Sequence, residues 1–142
     1  EESDWSSDVC SSDLGRRAIL NFGHTIGHGL EAISRYGRYL HGEAIAIGQV
    51  AAARLSTRLQ GLPEAAAERV ARLFERAGLP TTVRLTAPQR RSLWAAMRLD
   101  KKVRGGEIKF VLARRIGAVV PNCRVDEAEV NAVLDTLASR KP

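Results

Sequence analysis

From Gly15 onward the apolar positions recur at helical spacing, interrupted by turn residues. Ile19, Leu20, Phe22, Ile26, Leu30 and Ile33 predict a helix from Gly15 to about Arg35. Ser34 to Leu40 breaks the pattern, with Gly37 as the turn. A second helix is expected from about Gly42 to Gln60, apolar at Ile45, Ile47, Val50, Ala51 and Leu55. Pro63 at an N1-like position opens a third through about Ala77, with Val70, Leu73 and Phe74 as its core face. Gly78-Leu79-Pro80 ends it. Thr86 is placed to cap a fourth helix, Ala87 to about Lys102, burying Leu93, Trp94, Met97 and Leu99, and Arg104-Gly105-Gly106 reads as a turn. Ile108 to Ala113 and Ala118 to Val120 flank Ile116-Gly117 as a short hairpin. Asp126 caps a last helix, Glu127 to about Ser139, with Val130, Val133 and Leu137 inward. The expected fold is mainly α with one small β-hairpin.

Residues 1–14, EESDWSSDVCSSDL, fit none of this. They have no hydrophobic period, no basic start and no apolar core of a signal peptide. Asp4 to Leu14 can be back-translated into a common sequencing-library adapter, so the segment is expected to be a non-native or disordered tail. Residues 15–142 are then the domain. Five of the 16 acidic residues lie in the tail and none of the 22 basic ones, so the domain is more basic than the overall net charge of +6 indicates.

That charge raises the question of nucleic acid. No groove-reading motif or pattern of stacking aromatics accompanies it, so arginines on solvated helix faces are the expected explanation and no nucleic-acid partner is expected. No apolar run approaches the roughly 20 residues of a membrane span. Cys10 and Cys123 make a poor disulfide framework, which points to a reduced, cytoplasmic setting.

The candidate chemistry lies in Leu20 to Gly48, which holds all three histidines, His24, His28 and His41. On a continuous first helix, Arg17, Asn21, His24, His28 and Glu31 fall within an arc of about 80°. Such a stripe suits the wall of a polar cavity better than an ordinary solvated face. His24 and His28 are an i, i+4 pair, a spacing that grips zinc, although hydrogen-bonded core histidines share it. Spacing alone leaves open which two or three ligands apply. Gly23, Gly27 and Gly29 each cost a helix roughly 1 kcal/mol against alanine. They call for a close approach to the backbone, by a neighbouring helix, a ligand or both. His41 stands at the start of the second helix, where amide groups favour anions.

LNFGHTIGHGLE followed by LHGEAIAIG, and then MRLDKKVRGGEIKFVLARRIG from Met97 to Gly117, closely resembles 3-dehydroquinate synthase. The departures are small: Gln49 stands where that family usually has methionine, and Gly29 where alanine is common. The resemblance implies the helical C-terminal domain of a two-domain, NAD- and metal-dependent lyase of the shikimate pathway. That enzyme converts 3-deoxy-D-arabino-heptulosonate 7-phosphate, a small sugar phosphate, to 3-dehydroquinate and phosphate, and is a homodimer at full length. It further implies that His24 and His41 ligate a zinc or cobalt ion and that His28 is a catalytic-site residue on substrate. Arg17, Asn21 and one of Lys101 and Lys102 would bind substrate oxygens and phosphate.

Two parts of that enzyme have no counterpart in this sequence. No G-x-G-x-x-G follows a strand, so the NAD-binding α/β domain is expected to lie outside these 142 residues. The family's third metal ligand is a glutamate from that other half, and neither Glu31 nor Glu43 matches it. A truncated fragment, inactive alone, is expected. The competing expectations are another sugar-phosphate cyclase making an inosose or valiolone ring, a glycerol or alcohol dehydrogenase of shared architecture, or a non-catalytic helical interaction module.

Overall fold

The computed structural model describes residues 17–34, 37–103 and 107–138, without the side chains of residues 100–103. The proposed tail and the Arg104-Gly105-Gly106 turn lie outside the described residues. The elements are α1 (His24–Ile33), α2 (His41–Leu59), α3 (Glu64–Arg76), α4 (Ala87–Val103), β1 (Phe110–Arg115), β2 (Ala118–Cys123) and α5 (Glu127–Thr136). The expected mainly helical fold with one hairpin is what forms.

Helix α2 is the hub. Ala44, Ile47, Val50, Ala51 and Leu55 are all fully buried, and Ala46, Ala52 and Ala53 bury further sides of it. A helix apolar on most of its circumference belongs inside a domain, and α2 packs against α1, α3, β1 and α5. The main core joins Ile26 and Leu30 of α1 to Leu93 and Met97 of α4, Phe110 and Leu112 of β1, and Val130, Val133 and Leu134 of α5. A satellite cluster of Ala53, Leu62, Ala67 and Ala113 lies between α2, α3 and β1.

Polar groups fix the joints. The buried Ser56 hydroxyl donates to the Ala52 carbonyl (2.7 Å) and accepts the Ala113 amide (2.8 Å), stapling β1 to α2. Thr25 Oγ1 donates to the Lys109 carbonyl at 3.0 Å, tying the start of α1 to the approach to β1. Thr86 and Gln89 exchange side-chain and backbone bonds at the start of α4, the capping box expected of a Thr N-cap.

The hairpin is antiparallel, with Phe110 opposite Cys123, Leu112 opposite Val120, Ala113 opposite Val119 and Arg115 opposite Ala118. β1 starts and ends two residues later than the expected Ile108–Ala113, and β2 runs three residues past the expected Val120, about a turn with Gly117 at φ 94°. Pro121 does not end β2: it falls where the register shifts between the Leu112–Val120 and Phe110–Cys123 pairs, an irregularity that accommodates a residue without an amide donor.

Three expectations need correction. Pro63 is the N-cap of α3, not its first residue. Leu73 and Leu99 are exposed (64% and 68%), since Ala67 and Ala71 supply the buried face of α3 and Leu93 and Met97 that of α4. Most consequentially, the expected helix from Gly15 to about Arg35 is broken. Residues 17–19 are helical, residues 20–23 form turns, and α1 begins at His24 after Gly23 in the left-handed region at φ 81°.

Candidate metal centre

The break has a packing cause. Gly23 lies against the backbone of Gln49 on α2, where a Cβ would sit 2.6 Å from the Gln49 amide nitrogen. One turn on, a Cβ at Gly27 would meet Ile45, and one at Gly48 would meet the carbonyl of Gly23 and the amide of Gly27. Gly29 faces Leu93 and Met97 of α4 instead. The close approach that the glycines call for is therefore made by neighbouring helices. Its result is that α1 and α2 cross nearly backbone to backbone, with the histidines of one helix beside the histidine of the other.

The three rings form a cluster. Their centroids are 5.1 Å apart for His24 and His28, 5.9 Å for His28 and His41, and 6.2 Å for His24 and His41. His24 Nδ1 lies 3.3 Å from the Phe22 carbonyl. His41 Nδ1 lies 2.9 Å from Glu31 Oε1. Donor atoms of His28, Glu31 and His41 all fall within 4.8 Å of one another, the set among the described residues compact enough for a metal ion. Imidazole nitrogens with a carboxylate oxygen are the donors that zinc and cobalt accept, so the residues present fit such an ion.

Glu43 has another task. Its Oε1 accepts the Leu40 amide at 2.8 Å, satisfying a donor at the start of α2 and fixing the helix end that carries His41. Glu31 is the residue that sequence reasoning undervalued. Its seven-residue spacing from His24 put it on the right face, but its partner His41 lies on another helix.

Arg17 and Asn21 do not share the face of α1. Both precede the Gly23 break, and both are exposed. The backbone of Lys101 and Lys102 lies in the last turn of α4, and their side chains lie outside the described residues. Of the seven site residues expected from sequence, the structure thus brings His24, His28 and His41 together. Several arginines that raise the net charge are paired: Arg54 with Glu68, Arg58 with Glu129, Arg90 with Asp135 and Arg124 with Glu107. Among the described residues no helix is long and apolar enough to cross a membrane.

Solved structures with this fold define the class. The chain superposes on 2-epi-5-epi-valiolone synthase from Streptomyces hygroscopicus subsp. jinggangensis, solved with NAD+ and Zn2+, with a TM-score of 0.73 and 29% identity. The match covers 84% of this chain and 32% of that one. A 2-deoxy-scyllo-inosose synthase complexed with carbaglucose-6-phosphate, NAD+ and Co2+ matches with a TM-score of 0.67 and 26% identity, over 82% of this chain and 34% of that one. The fold is that of the helical part of the sugar-phosphate cyclases.

Within that class the sequence is specific. Residues 8–103 match the family described as 3-dehydroquinate synthase C-terminal, and the chain belongs to that family. It is 47% identical over 120 residues to the 3-dehydroquinate synthase of Acidithiobacillus ferrooxidans, covering 84% of this chain and 32% of that protein. It is 46% identical over 124 residues to that of Bordetella pertussis, covering 87% and 34%. The chain spans about a third of the length of the curated relatives it matches.

Proposed function

We propose that this chain is the metal- and substrate-binding part of a 3-dehydroquinate synthase. The whole enzyme converts 3-deoxy-D-arabino-heptulosonate 7-phosphate to 3-dehydroquinate and phosphate, with NAD and a zinc or cobalt ion. The observation that carries this is the three-histidine cluster built by the α1–α2 crossing, in a chain of that family. On this reading residues 15–142 are the functional unit and the enzyme is a cytoplasmic homodimer. The family match begins at residue 8, so genomic DNA upstream of Gly15 tests where that unit starts.

His24 and His41 would hold the divalent ion, one from each helix. The ion supplies Lewis acidity toward a substrate oxygen. His28, the third corner of the cluster, would hydrogen-bond substrate. Arg17 and Asn21, with Lys101 or Lys102, would bind the phosphate; a guanidinium and an ammonium together hold a dianion in the orientation in which it leaves. The compact donor set of His28, Glu31 and His41 favours a second ligand assignment, in which His28 and not His24 binds the ion.

The NAD site and a further metal ligand would come from the remaining two thirds of the enzyme. The test is a coupled assay. The full-length gene product is expected to form 3-dehydroquinate and release phosphate, and the purified 142-residue chain to do neither. Turnover by the chain alone contradicts the division of labour. A full-length product that closes an inosose or valiolone ring instead contradicts the substrate.

A further inference from the structure

Glu31 touches the histidine cluster at the ring of His41. Its Oε1 lies 2.9 Å from His41 Nδ1 across the helix crossing. An ionised carboxylate only accepts hydrogen bonds, and a neutral imidazole carries one N–H and one lone pair. A bond between these atoms therefore places the ring proton on Nδ1 and leaves the lone pair on Nε2. The contact also sets the ring plane. The backbone of His41 is already fixed, because Glu43 accepts the Leu40 amide at the start of α2. The remaining freedom of the side chain lies in its two torsions, and a bond at Nδ1 restrains both.

We propose that Glu31 is the positioning residue of His41: it holds the imidazole as the Nδ1–H tautomer and turns Nε2 toward the ion. This rests on the reading that His41 is a metal ligand. It gives Glu31 a role that ligand spacing does not, since the carboxylate acts through the ring and not on the metal. Carboxylate partners of ligating imidazoles fix tautomer and orientation, and their loss typically weakens metal binding by about 10–100-fold. Both side chains are partly exposed, at 32% for Glu31 and 62% for His41. As a bare surface ion pair the contact would contribute little to stability. Its effect therefore shows in the ring and in the ion.

The experiment is long-range 1H–15N correlation NMR of the 142-residue chain in mildly alkaline buffer, before and after adding zinc, joined to zinc affinity by competition with a chromophoric chelator. Wild-type His41 is expected as the Nδ1–H tautomer without metal, keeping that proton when zinc binds at Nε2. Glu31→Ala is expected to shift the ring toward the Nε2–H tautomer and to weaken zinc about 10–100-fold. Glu31→Gln, whose amide oxygen still accepts, should fall between, with unchanged circular dichroism in both. A wild-type ring protonated on Nε2, or one that loses the Nδ1 proton when zinc binds while Glu31 becomes a direct ligand, overturns the inference and leaves the metal reading standing. An Nδ1–H ring in a chain whose His41→Ala variant binds zinc as tightly as wild type overturns the metal reading instead, and with it the role of Glu31 toward the ion.

Discussion

Gly48 of α2 lies against Gly27 of α1 so closely that a Cβ on Gly48 would sit 2.8 Å from the Gly27 amide nitrogen and 3.0 Å from its Cα. The obstacle is backbone, which cannot swing aside. Gly48→Ala is therefore expected to destabilise the domain by about 1–3 kcal/mol or more through forced separation of the helices. Gly29→Ala offers the contrast. Its Cβ would meet Leu93 Cδ1 at 2.6 Å, the end of a side chain that can move, and alanine favours the helix by about 1 kcal/mol. Gly29→Ala should lie within about 1 kcal/mol of the parent. Denaturant midpoints of the two variants check this, and a Gly48→Ala chain as stable as the parent contradicts the account of the crossing.

Ser56 is fully buried and bonded on both sides. Ser56→Ala leaves the Ala113 amide without its acceptor inside the protein, an expected loss of about 1–3 kcal/mol. Amide hydrogen exchange locates the effect. Ala113 should lose protection more than the amides of α5, and uniform protection across β1 would show that Ser56 is not the staple.

Most of the fold was legible in the sequence, because hydrophobic period and capping residues act locally. The starts of α2, α4 and α5 fall within a residue of their expected places. The break before His24 was not legible. Arg17 to Glu31 has unbroken helical periodicity, and what stops the helix is the backbone of Gln49, some 25 residues away in sequence. The same limit applies to the site. Three histidines in one window announced it, but the pairing of Glu31 with His41 depends on where α2 crosses α1. Leu73 and Leu99 fit the apolar period and yet face outward, since Ala67 and Ala71 on α3 and Leu93 and Met97 on α4 carry the buried faces.

Cys123 supplies a prediction in pH. Burial pushes its thiol up from the ordinary value, against smaller opposing effects from a backbone hydrogen bond at Leu112 and the charge of Arg114. Sγ also donates to the Val120 carbonyl at 3.3 Å. The thiol form is thus favoured in the folded chain. Its stabilising contribution is fully present below the unfolded pKa and lost as pH rises through the folded one. Iodoacetamide should alkylate Cys123 more slowly in the native chain than in urea, and Cys123→Ser should flatten part of the alkaline loss of stability. Equal alkylation rates in the two states would contradict the burial.

Of the ion pairs that absorb arginine charge, Arg58–Glu129 and Arg124–Glu107 have the exposed guanidinium groups, and screening leaves these two worth little. Arg58→Ala is expected to leave stability nearly unchanged, although its bond to Glu129 is short at 2.6 Å and holds the guanidinium further above its usual range. Thermal unfolding at low and high salt checks this, with the parent and the variant expected to converge as salt rises. A larger loss that persists at high salt would assign the α2–α5 contact a packing role instead.

On the proposed function, the crossing of α1 and α2 builds one divalent-metal site from histidines of both helices. Cobalt titration of the purified chain, followed by the visible absorption of the bound ion, tests it most directly. One saturable site is expected, lost in His24→Ala and in His41→Ala and largely kept in His28→Ala. Loss in His28→Ala with retention in His24→Ala would move the ligand from His24 to His28. Unchanged binding in a chain lacking both His24 and His41 would contradict the claim outright.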